Sequence, residues 1–326
     1  MFEITDEAIK KIEKLLLPEG ETFDDDNGER SEVIKCIDES IDVNASPGSG
    51  KTTTLLAKLF LLAEQMPFKD GKGICVLTHT NVAIDELKLK VGRQVDNLFR
   101  YPNFFGTFQK FVNKFLAIPA IIFLEGRRPS YIDKELHDKI ISDIRYVRGF
   151  NQNIGKKAFH YLFTYRNREK LTLCFDDHEN LCITDEIDGA PLEIRKPRSN
   201  QHNDWSSVTK DEISRWLIAF KKTVLFDFDV MSFDDAYFFA LSYLRSTPIS
   251  EALSKRFKYV FVDEMQDTYS HQEKILNEAF DDSVLIQRFG DPHQAIYNSV
   301  SVENIWMPAE DALTISTSKR FGENIT

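Results

Sequence analysis

The sequence contains few cysteines and no long apolar segment. Its four cysteines form neither a CxxC pair nor a metal-ligand spacing, which favours a reducing compartment over a disulfide-stabilised secreted protein. The longest apolar run, at residues 115–124, is too short to cross a bilayer and contains Pro119. The acidic amino-terminal segment has no apolar core of the kind found in signal peptides. We therefore expect a cytoplasmic protein with no membrane partner.

Basic residues are outnumbered as well. The 326 residues include 41 Lys and Arg against 52 Asp and Glu, which gives a net charge of −11. This balance argues against a surface coated with nucleic-acid-binding charge, although it is compatible with a narrow binding groove. The sequence shows no internal repeat or low-complexity segment, and its length is sufficient for two domains.

A glycine-rich stretch at residues 45–52 (ASPGSGKT) matches the phosphate-binding P-loop except at its first position, where Ala45 replaces glycine. It follows a segment at residues 41–44 that is predicted to be a strand, and it precedes a predicted helix at residues 52–63. A helix amino terminus adds partial positive charge to a phosphate site. The alternative, a glycine-rich turn with a chance lysine, fits this context less well. The sequence therefore predicts nucleoside triphosphate binding.

The residue types in the P-loop each have a chemical role. Gly48 and Gly50 permit a tight turn whose N–H groups point at a phosphate. Lys51 supplies a positive charge for the β- and γ-phosphates, and the Thr52 hydroxyl is placed to ligate Mg²⁺. The residues of this loop predicted to bind Mg²⁺-ATP are Ser46, Pro47, Gly48, Ser49, Gly50, Lys51, Thr52 and Thr53.

An apolar segment at residues 259–262 ends in two adjacent carboxylates, which is the pattern of a Walker B element. Asp263 would act in the Mg²⁺ coordination shell, and Glu264 would orient and deprotonate the attacking water. The alternative interpretation is a strand that happens to end in an acidic turn. A third predicted strand, at residues 284–289, leads to Gln294, whose amide is suited to sense a γ-phosphate.

Two shorter polar stretches could either bind a ligand or cap a helix. Residues 78–81 follow a predicted buried strand, and residues 107–109 precede a predicted helix at residues 110–116. Small polar residues at the carboxyl ends of parallel strands are where α/β sheets bind ligands. Taken alone, however, each stretch is more typical of a simple helix N-cap. Both interpretations stay open at this point.

Five motifs, taken together and in their order, resemble the amino-terminal half of superfamily 1 helicases of the UvrD/Rep/PcrA type. They are ASPGSGKT, LTHTN, GTFQ, VDEMQDT and GDPHQAIY, and SKRFG near the end resembles a sixth. The DExQDT pattern is the most specific of them, because related RNA helicases and recombination helicases carry other versions. The resemblance covers about residues 30–326, apart from a middle section without motifs.

The resemblance implies roles for residues at matching positions. Gln266 and Gln294 would couple the γ-phosphate to a nucleic-acid groove, with Gln266 counted among the nucleotide-binding residues, and Arg320 would reach the γ-phosphate. The predicted catalytic residues are Lys51, Glu264, Gln294 and Arg320, and the predicted metal ligands are Thr52 and Asp263. Single-stranded DNA is the implied partner, in preference to RNA. Its predicted contacts are Thr78, His79, Asn81, Thr107, Phe108 and Tyr297.

Several positions depart from the family pattern. The first glutamine of the chain is Gln65, so the glutamine with which the family reads adenine is absent upstream of the P-loop. Lys319 stands where a tyrosine normally stacks on adenine, and His79 replaces a phenylalanine. Ser299 and Val300 replace a Trp-Arg pair that stacks a base and couples it to ATP. These departures leave base selectivity and coupling to nucleic acid open.

The fold class that these motifs predict is α/β, with a RecA-like P-loop parallel sheet covered by helices on both faces. The long separation between Lys51 and Asp263 predicts an inserted, smaller α+β domain. Alternating segments at residues 170–175, 181–184 and 191–195 are predicted to be short strands of that domain.

The domain boundaries follow from these assignments. We assign residues 1–124 and 236–326 to the RecA-like ATP-binding domain 1A and residues 125–235 to the inserted domain 1B. From the resemblance, we do not expect these residues to include the second RecA-like domain of the family. We therefore expect a fragment that is nearly inactive in isolation and whose partner is the missing carboxy-terminal helicase domain.

Three functions are compatible with the sequence. The first is the ATP-binding half of an ATP-dependent DNA helicase or translocase, with 3′-to-5′ polarity implied by resemblance. The second is an ATP-sensing subunit of a nucleic-acid-processing or phage-defence complex that does not unwind, with a nuclease or other protein as its partner. The third is a P-loop ATPase unrelated to nucleic acid, which the DExQD pattern disfavours.

Overall fold

The structure is a computed structural model that describes residues 3–24, 27–79, 97–144, 154–158, 172–175, 181–184, 191–194, 208–294 and 306–317. Contacts within the chain divide it into two compact units. Unit 1 comprises residues 1–111 and 248–326, and unit 2 comprises residues 112–247.

The helices and strands are numbered in chain order. The helices are α1 (Asp6–Leu16), α2 (Glu29–Lys35), α3 (Lys51–Ala63), α4 (Phe108–Val112), α5 (Ile118–Glu125), α6 (Lys134–Ile144), α7 (Lys210–Lys222), α8 (Phe233–Ser246), α9 (Ile249–Arg256) and α10 (Ser270–Ala279). The strands are β1 (Ile41–Ala45), β2 (Gly73–Thr78), β3 (Phe104–Thr107), β4 (Tyr131–Ile132), β5 (Thr172–Phe175), β6 (Leu181–Thr184), β7 (Val230–Met231), β8 (Phe257–Val262), β9 (Leu285–Gly290) and β10 (Leu313–Ile315).

Unit 1 is built on a six-stranded parallel sheet in the order β10-β1-β9-β8-β2-β3. All six residues of β2 are buried, as expected for a strand of a parallel sheet that helices cover on both faces. Helix α3 is buried over most of its length and packs against α1 and α2. The predicted α/β fold with a RecA-like parallel sheet is therefore confirmed.

The strand register brings the sequence motifs to one edge of the sheet. Asn44 of β1 pairs with Gly290 of β9, and Leu77 of β2 pairs with Val262 of β8. Because these strands are parallel, the residues that follow them all leave the sheet at its carboxyl edge. The P-loop, the acidic pair after β8 and the polar turn after β9 consequently share that edge.

Unit 2 contains helices α5 to α8 and two small pairs of strands. Strands β4 and β7 are parallel, and β5 and β6 are antiparallel. The predicted strand at residues 191–195 is wrong over the described residues 191–194, which form no strand. Pro191 cannot donate a backbone hydrogen bond, whereas the Leu192 N–H donates to Ile183 O of β6 at 2.7 Å.

The contact division differs from the boundaries expected from the sequence. Helix α5 and most of α8 were assigned to domain 1A, but they pack on each other and group with unit 2. Helix α8 also contacts β5 of the same unit. The assignment of functional domains 1A and 1B to these units stays a prediction. Within the described residues, no helix is long and apolar enough to cross a membrane.

Candidate active site

The P-loop connects β1 to α3 through two left-handed glycines. Gly48 has φ 72° and Gly50 has φ 88°, a region that residues with a Cβ rarely adopt. Gly50 is the N-cap of α3, so Lys51 is the first helical residue. The chain therefore turns immediately before the lysine and presents it at the helix amino terminus, where the helix dipole favours an anion.

Backbone hydrogen bonds hold the two ends of the loop. The Ser46 N–H donates to Ile315 O at 2.9 Å, and the Ser49 N–H donates to Ser46 O at 3.1 Å. The Gly50 carbonyl accepts from both the N–H and the hydroxyl of Thr54, at 2.9 and 3.1 Å. Among the described residues, the buried Ser49 hydroxyl has no hydrogen-bond partner. The loop is thus tied to β10 and α3, with a free polar group inside it.

Lys51 meets the acidic pair that follows β8. Its ammonium contacts the Glu264 carboxylate directly and lies 3.8 Å from Asp263 Oδ1. The Asp263 N–H donates to Leu77 O at 2.9 Å, which extends the pairing of β8 with β2 up to the carboxylate. Glu264 has φ 56°, an uncommon conformation for a residue other than glycine that often marks functional sites.

The two carboxylates have opposite pKa shifts. Burial raises the pKa of Asp263 to about 6. The Lys51 charge lowers this pKa, whereas the neighbouring Glu264 charge raises it further. Burial also raises the pKa of Glu264, but the Lys51 ammonium and the Gln266 amide more than offset this effect and hold it below its usual range. Glu264 is therefore the more acidic of the two carboxyl groups, and Lys51 is the main cause.

The residues present fit a magnesium ion. Asp263 contributes a buried carboxylate and Thr52 a hydroxyl at the start of α3, and both are oxygen ligands. Mg²⁺ is typically bound by one or two protein oxygens together with substrate phosphates and water. The roles of Thr52 and Asp263 as ligands stay a prediction.

Gln266 joins the acidic pair to the turn after β9. Its Nε2 donates to Glu264 Oε2 at 2.7 Å, and its Oε1 accepts from the Asp291 N–H at 3.0 Å. Gln294 Nε2 in turn donates to Asp291 Oδ2 at 2.6 Å. A continuous chain of contacts therefore runs from Lys51 through these residues to Gln294.

Two members of this arrangement were missed by sequence reasoning. Asp291 is almost completely buried and connects Gln266 to Gln294. Gly290 leaves room for its neighbours, since a Cβ there would lie 2.5 Å from Trp306 Cζ3 and 3.0 Å from Gln266 Oε1. Their position in the sequence could have identified Gly290 and Asp291, because both occur in the turn that directly follows a predicted strand.

His79 lies within the same site. Its Nε2 is 3.0 Å from Thr268 Oγ1, so it links the end of β2 to the segment after the acidic pair. Burial lowers the pKa of His79, and the Lys51 charge acts in the same direction while Glu264 opposes it. The charges of both Lys51 and Glu264 therefore affect the pKa of the His79 imidazole.

The other predicted nucleic-acid contacts have mixed positions. Thr78 is buried at the end of β2. The Thr107 hydroxyl accepts from the Lys110 N–H at 3.2 Å, which is the N-cap role left open above. Phe108 is only 3% exposed. The nucleic-acid roles of these residues stay predictions. Asn81, Tyr297 and Arg320 lie outside the described residues.

A parallel six-stranded sheet with a P-loop and a facing acidic pair at its carboxyl edge defines a RecA-like P-loop nucleotide-binding protein. Within that class, the model of the UvrD/REP helicase N-terminal domain matches residues 26–299, more than half of the chain. The chain therefore belongs to this family, as its motifs predicted.

Similar proteins carry consistent names. A probable DNA helicase II homologue of Mycoplasma capricolum subsp. capricolum is 24% identical over 305 residues, which cover 92% of this chain and 38% of that protein. The ATP-dependent DNA helicase PcrA of Staphylococcus aureus is 23% identical over 285 residues, covering 86% and 35%. The ATP-dependent DNA helicase Rep of Buchnera aphidicola subsp. Schizaphis graminum is 21% identical over 289 residues, covering 87% and 40%. The chain thus spans 35–40% of the length of these relatives.

Proposed function

We propose that this chain is the ATP-binding part of an ATP-dependent DNA helicase or translocase. The observation that carries the proposal is the meeting of Lys51, Asp263 and Glu264 at one edge of the sheet, with Gln266 joined to them. Relatives named as DNA helicases support DNA as the nucleic acid. Single-stranded DNA as the track and 3′-to-5′ polarity are proposed from the resemblance.

We propose that nucleotide binding increases the basicity of Glu264 by breaking its ion pair with Lys51. Triphosphate oxygens would compete with Glu264 for the Lys51 ammonium, since both are anions. When Lys51 turns to the phosphates, the main cause of the lowered Glu264 pKa weakens, and Glu264 becomes a stronger base. It would then take a proton from the water that attacks the γ-phosphorus, while the bond from that phosphorus to the β-phosphate oxygen breaks.

Asp263 and Thr52 would hold Mg²⁺ at the nucleotide. The ion would supply positive charge that neutralises the leaving group. Gln266 and Asp291 connect Glu264 to Gln294, so a displacement at the base can reach the turn after β9. We propose this turn as the route by which nucleotide state is coupled to the nucleic acid.

Nucleotide binding is tested with Lys51→Ala. The variant removes the charge that faces the phosphates, so calorimetry should show that Mg²⁺-ATP binding is abolished. Lys11→Ala is the control, because Lys11 is an exposed lysine of unit 1 paired with Glu64 at 2.7 Å. Equal affinity of Lys51→Ala and the wild type would remove the P-loop assignment.

The base is tested with Glu264→Gln. The amide keeps the size of the side chain but cannot take a proton, so Mg²⁺-ATP should still bind while turnover falls by about 10²–10⁴-fold. Turnover is measured on the chain supplied with a second RecA-like domain, fused or in trans. Glu273→Gln provides the control, since Glu273 lies 3.6 Å from Arg288 rather than at the P-loop. Retained turnover in Glu264→Gln would assign the base elsewhere.

Near inactivity of the 326-residue chain in isolation stays a prediction. We expect almost no ATP hydrolysis and weak, salt-sensitive single-strand binding, with DNA-stimulated turnover restored by a second RecA-like domain. Hydrolysis of order 1 s⁻¹ by the chain alone would contradict it. Strand displacement by the completed protein would distinguish a helicase from an ATP-sensing subunit.

A further inference from the structure

Arg30 is the largest of the almost completely buried side chains among the described residues, with 1% exposure. It lies in the first turn of α2, two residues after the left-handed N-cap Gly28. Burying a guanidinium costs free energy unless its donors and its charge are compensated. A buried arginine at the surface of a nucleotide-binding loop therefore calls for a specific explanation.

The guanidinium is oriented on one side by the segment that precedes α2. Its Nη2 donates to Thr22 O at 2.8 Å, and its Cζ lies 5.5 Å from the centroid of the buried Phe23 ring. The Phe23 N–H is itself tied to Glu13 Oε1 at 2.8 Å. A backbone carbonyl and an aromatic face thus set the direction of the Arg30 side chain.

On the other side, Arg30 lies against the P-loop. A Cβ placed on Gly50 would be 3.7 Å from both Cδ and Nη1 of Arg30. The Arg30 side chain therefore lies on the side of Gly50 to which a Cβ would point, next to the left-handed turn that presents Lys51. Its neighbour there is the backbone immediately before Lys51.

We infer that Arg30 is a positioning residue of the phosphate-binding loop, which supports the Gly50 turn and adds positive charge behind the triphosphate. The inference rests on the proposed nucleotide binding. Its ligand class is the polyphosphate part of the nucleotide, because Arg30 lies beside the loop backbone at Gly50. The alternative is that Arg30 binds the nucleotide base. A guanidinium has only hydrogen-bond donors, so it would favour a base edge with acceptors, such as guanine O6 and N7.

Two variants separate these roles. Arg30→Met keeps the length of the side chain but removes the charge and the donors, and Arg30→Lys keeps the charge without the planar set of donors. Binding of Mg²⁺-ATP and of Mg²⁺-tripolyphosphate to the full chain is measured by calorimetry. We expect Arg30→Met to weaken both ligands equally, by about tenfold or more, and Arg30→Lys to recover part of the loss for both.

Arg256→Met is the matched control. Arg256 also donates to a backbone carbonyl, Pro102 O at 2.9 Å, and lies over an aromatic ring, Tyr101 at 4.9 Å. It precedes β8 and so lies at the amino edge of the sheet, away from the P-loop. This variant should leave the affinity for both ligands unchanged.

The outcomes are distinguishable. A loss for Mg²⁺-ATP without a loss for tripolyphosphate would overturn the inference and assign Arg30 to the base. Wild-type affinity for both ligands in Arg30→Lys and Arg30→Met would overturn it as well. If Arg30→Met does not fold, Arg30→Lys with wild-type thermal stability decides alone, with an expected weakening of about threefold or more for both ligands. Failure of the wild type to bind either ligand would instead contradict the proposed function.

Discussion

Lys58 is a lysine in the interior of unit 1. It is completely buried on α3, and its Nζ donates to Gln287 Oε1 at 2.6 Å. The Gln287 amide is held in turn by Cys36 O and Glu39 O, both at 2.9 Å. Burial lowers the pKa of Lys58 to about 7. Protonation of Lys58 is therefore linked to the free energy of unfolding.

The direction of the pH effect follows from the two states. Between the folded pKa of about 7 and the ordinary value of 10.5, the unfolded chain binds more protons at Lys58 than the folded chain. The free energy of unfolding should therefore rise with pH above about 7, by at most about 1.4 kcal/mol per pH unit. Below pH 7 the lysine is protonated in both states, and its contribution becomes constant.

Lys58→Met should remove this rise. Urea unfolding at about pH 7 and about pH 8 measures it, below the ordinary pKa of 9.0 near which the thiols of the unfolded chain ionise. Burial raises the pKa of Cys36 to about 11, and this shift would act in the opposite direction at higher pH. Lys11→Met, at an exposed lysine, should retain the wild-type slope. A slope that survives in Lys58→Met would assign it to other groups.

Gly290 is required by space rather than by backbone conformation. Gly290→Ala would place a methyl group 2.5 Å from Trp306 Cζ3 and 3.0 Å from Gln266 Oε1. We expect a loss of about 1–3 kcal/mol in unfolding free energy, because an overpacked interior must shift to relieve the contact. Urea unfolding checks this. In a Trp306→Leu background the same change should cost less, and an equal cost would exclude the indole as the cause.

Helices α6, α7 and α8 are connected by buried polar side chains. Lys221 Nζ of α7 lies 2.9 Å from Asp235 Oδ2 of α8 and 2.8 Å from His137 Nε2 of α6. Ser232, the N-cap of α8, donates to the same Asp235 oxygen at 2.8 Å. Burial alone would raise the pKa of Asp235, but Lys221 and His137 hold it below its usual range. The Asp235 carboxylate of α8 is therefore paired with Lys221 of α7, which in turn contacts His137 of α6.

Asp235→Asn should destabilise the protein by about 3–5 kcal/mol, because it leaves the Lys221 charge buried without a counterion. The double change Asp235→Asn with Lys221→Met should cost clearly less than the sum of the two single changes. A double-mutant cycle by urea unfolding gives the coupling. Additive costs would show that the two residues act independently.

Across the whole molecule, the described active-site residues belong to the two chain segments that flank unit 2. Lys51 comes from the first segment, and Asp263, Glu264, Gln266 and Gln294 come from the second. The sheet of unit 1 likewise takes β1 to β3 from the first segment and β8 to β10 from the second. The described residues that we propose for nucleotide binding therefore all lie within unit 1.

Replacement of residues 112–247 by a flexible Gly/Ser linker should leave nucleotide binding in place. Loop closure costs little more for a longer connection, and the sheet does not take strands from unit 2. We expect Mg²⁺-ATP affinity within about threefold of the intact chain, measured by calorimetry. The circular dichroism of the folded product is the control. A folded product that no longer binds ATP would show that unit 2 contributes to the site.

Local patterns were sufficient for much of the fold and for the residues at the centre of the site. The P-loop and the acidic pair are short contiguous motifs after apolar segments, so their chemistry and their place at strand ends could be predicted. The buried run of β2 likewise predicted a parallel strand. In contrast, Pro191 and its neighbours alternate like a strand but form none, because pairing needs a partner as well as a pattern.

The remaining features depended on which distant segments pack together. Arg30 lies beside Gly50 because α2 is next to the P-loop, and Lys58 reaches Gln287 because α3 packs over β9. The Gln266 amide bridges Glu264 and Asp291 only because β8 and β9 are neighbours in the sheet. Strand order and helix packing follow from burial summed over the whole chain, which no local pattern records, so these contacts emerged only in the folded molecule.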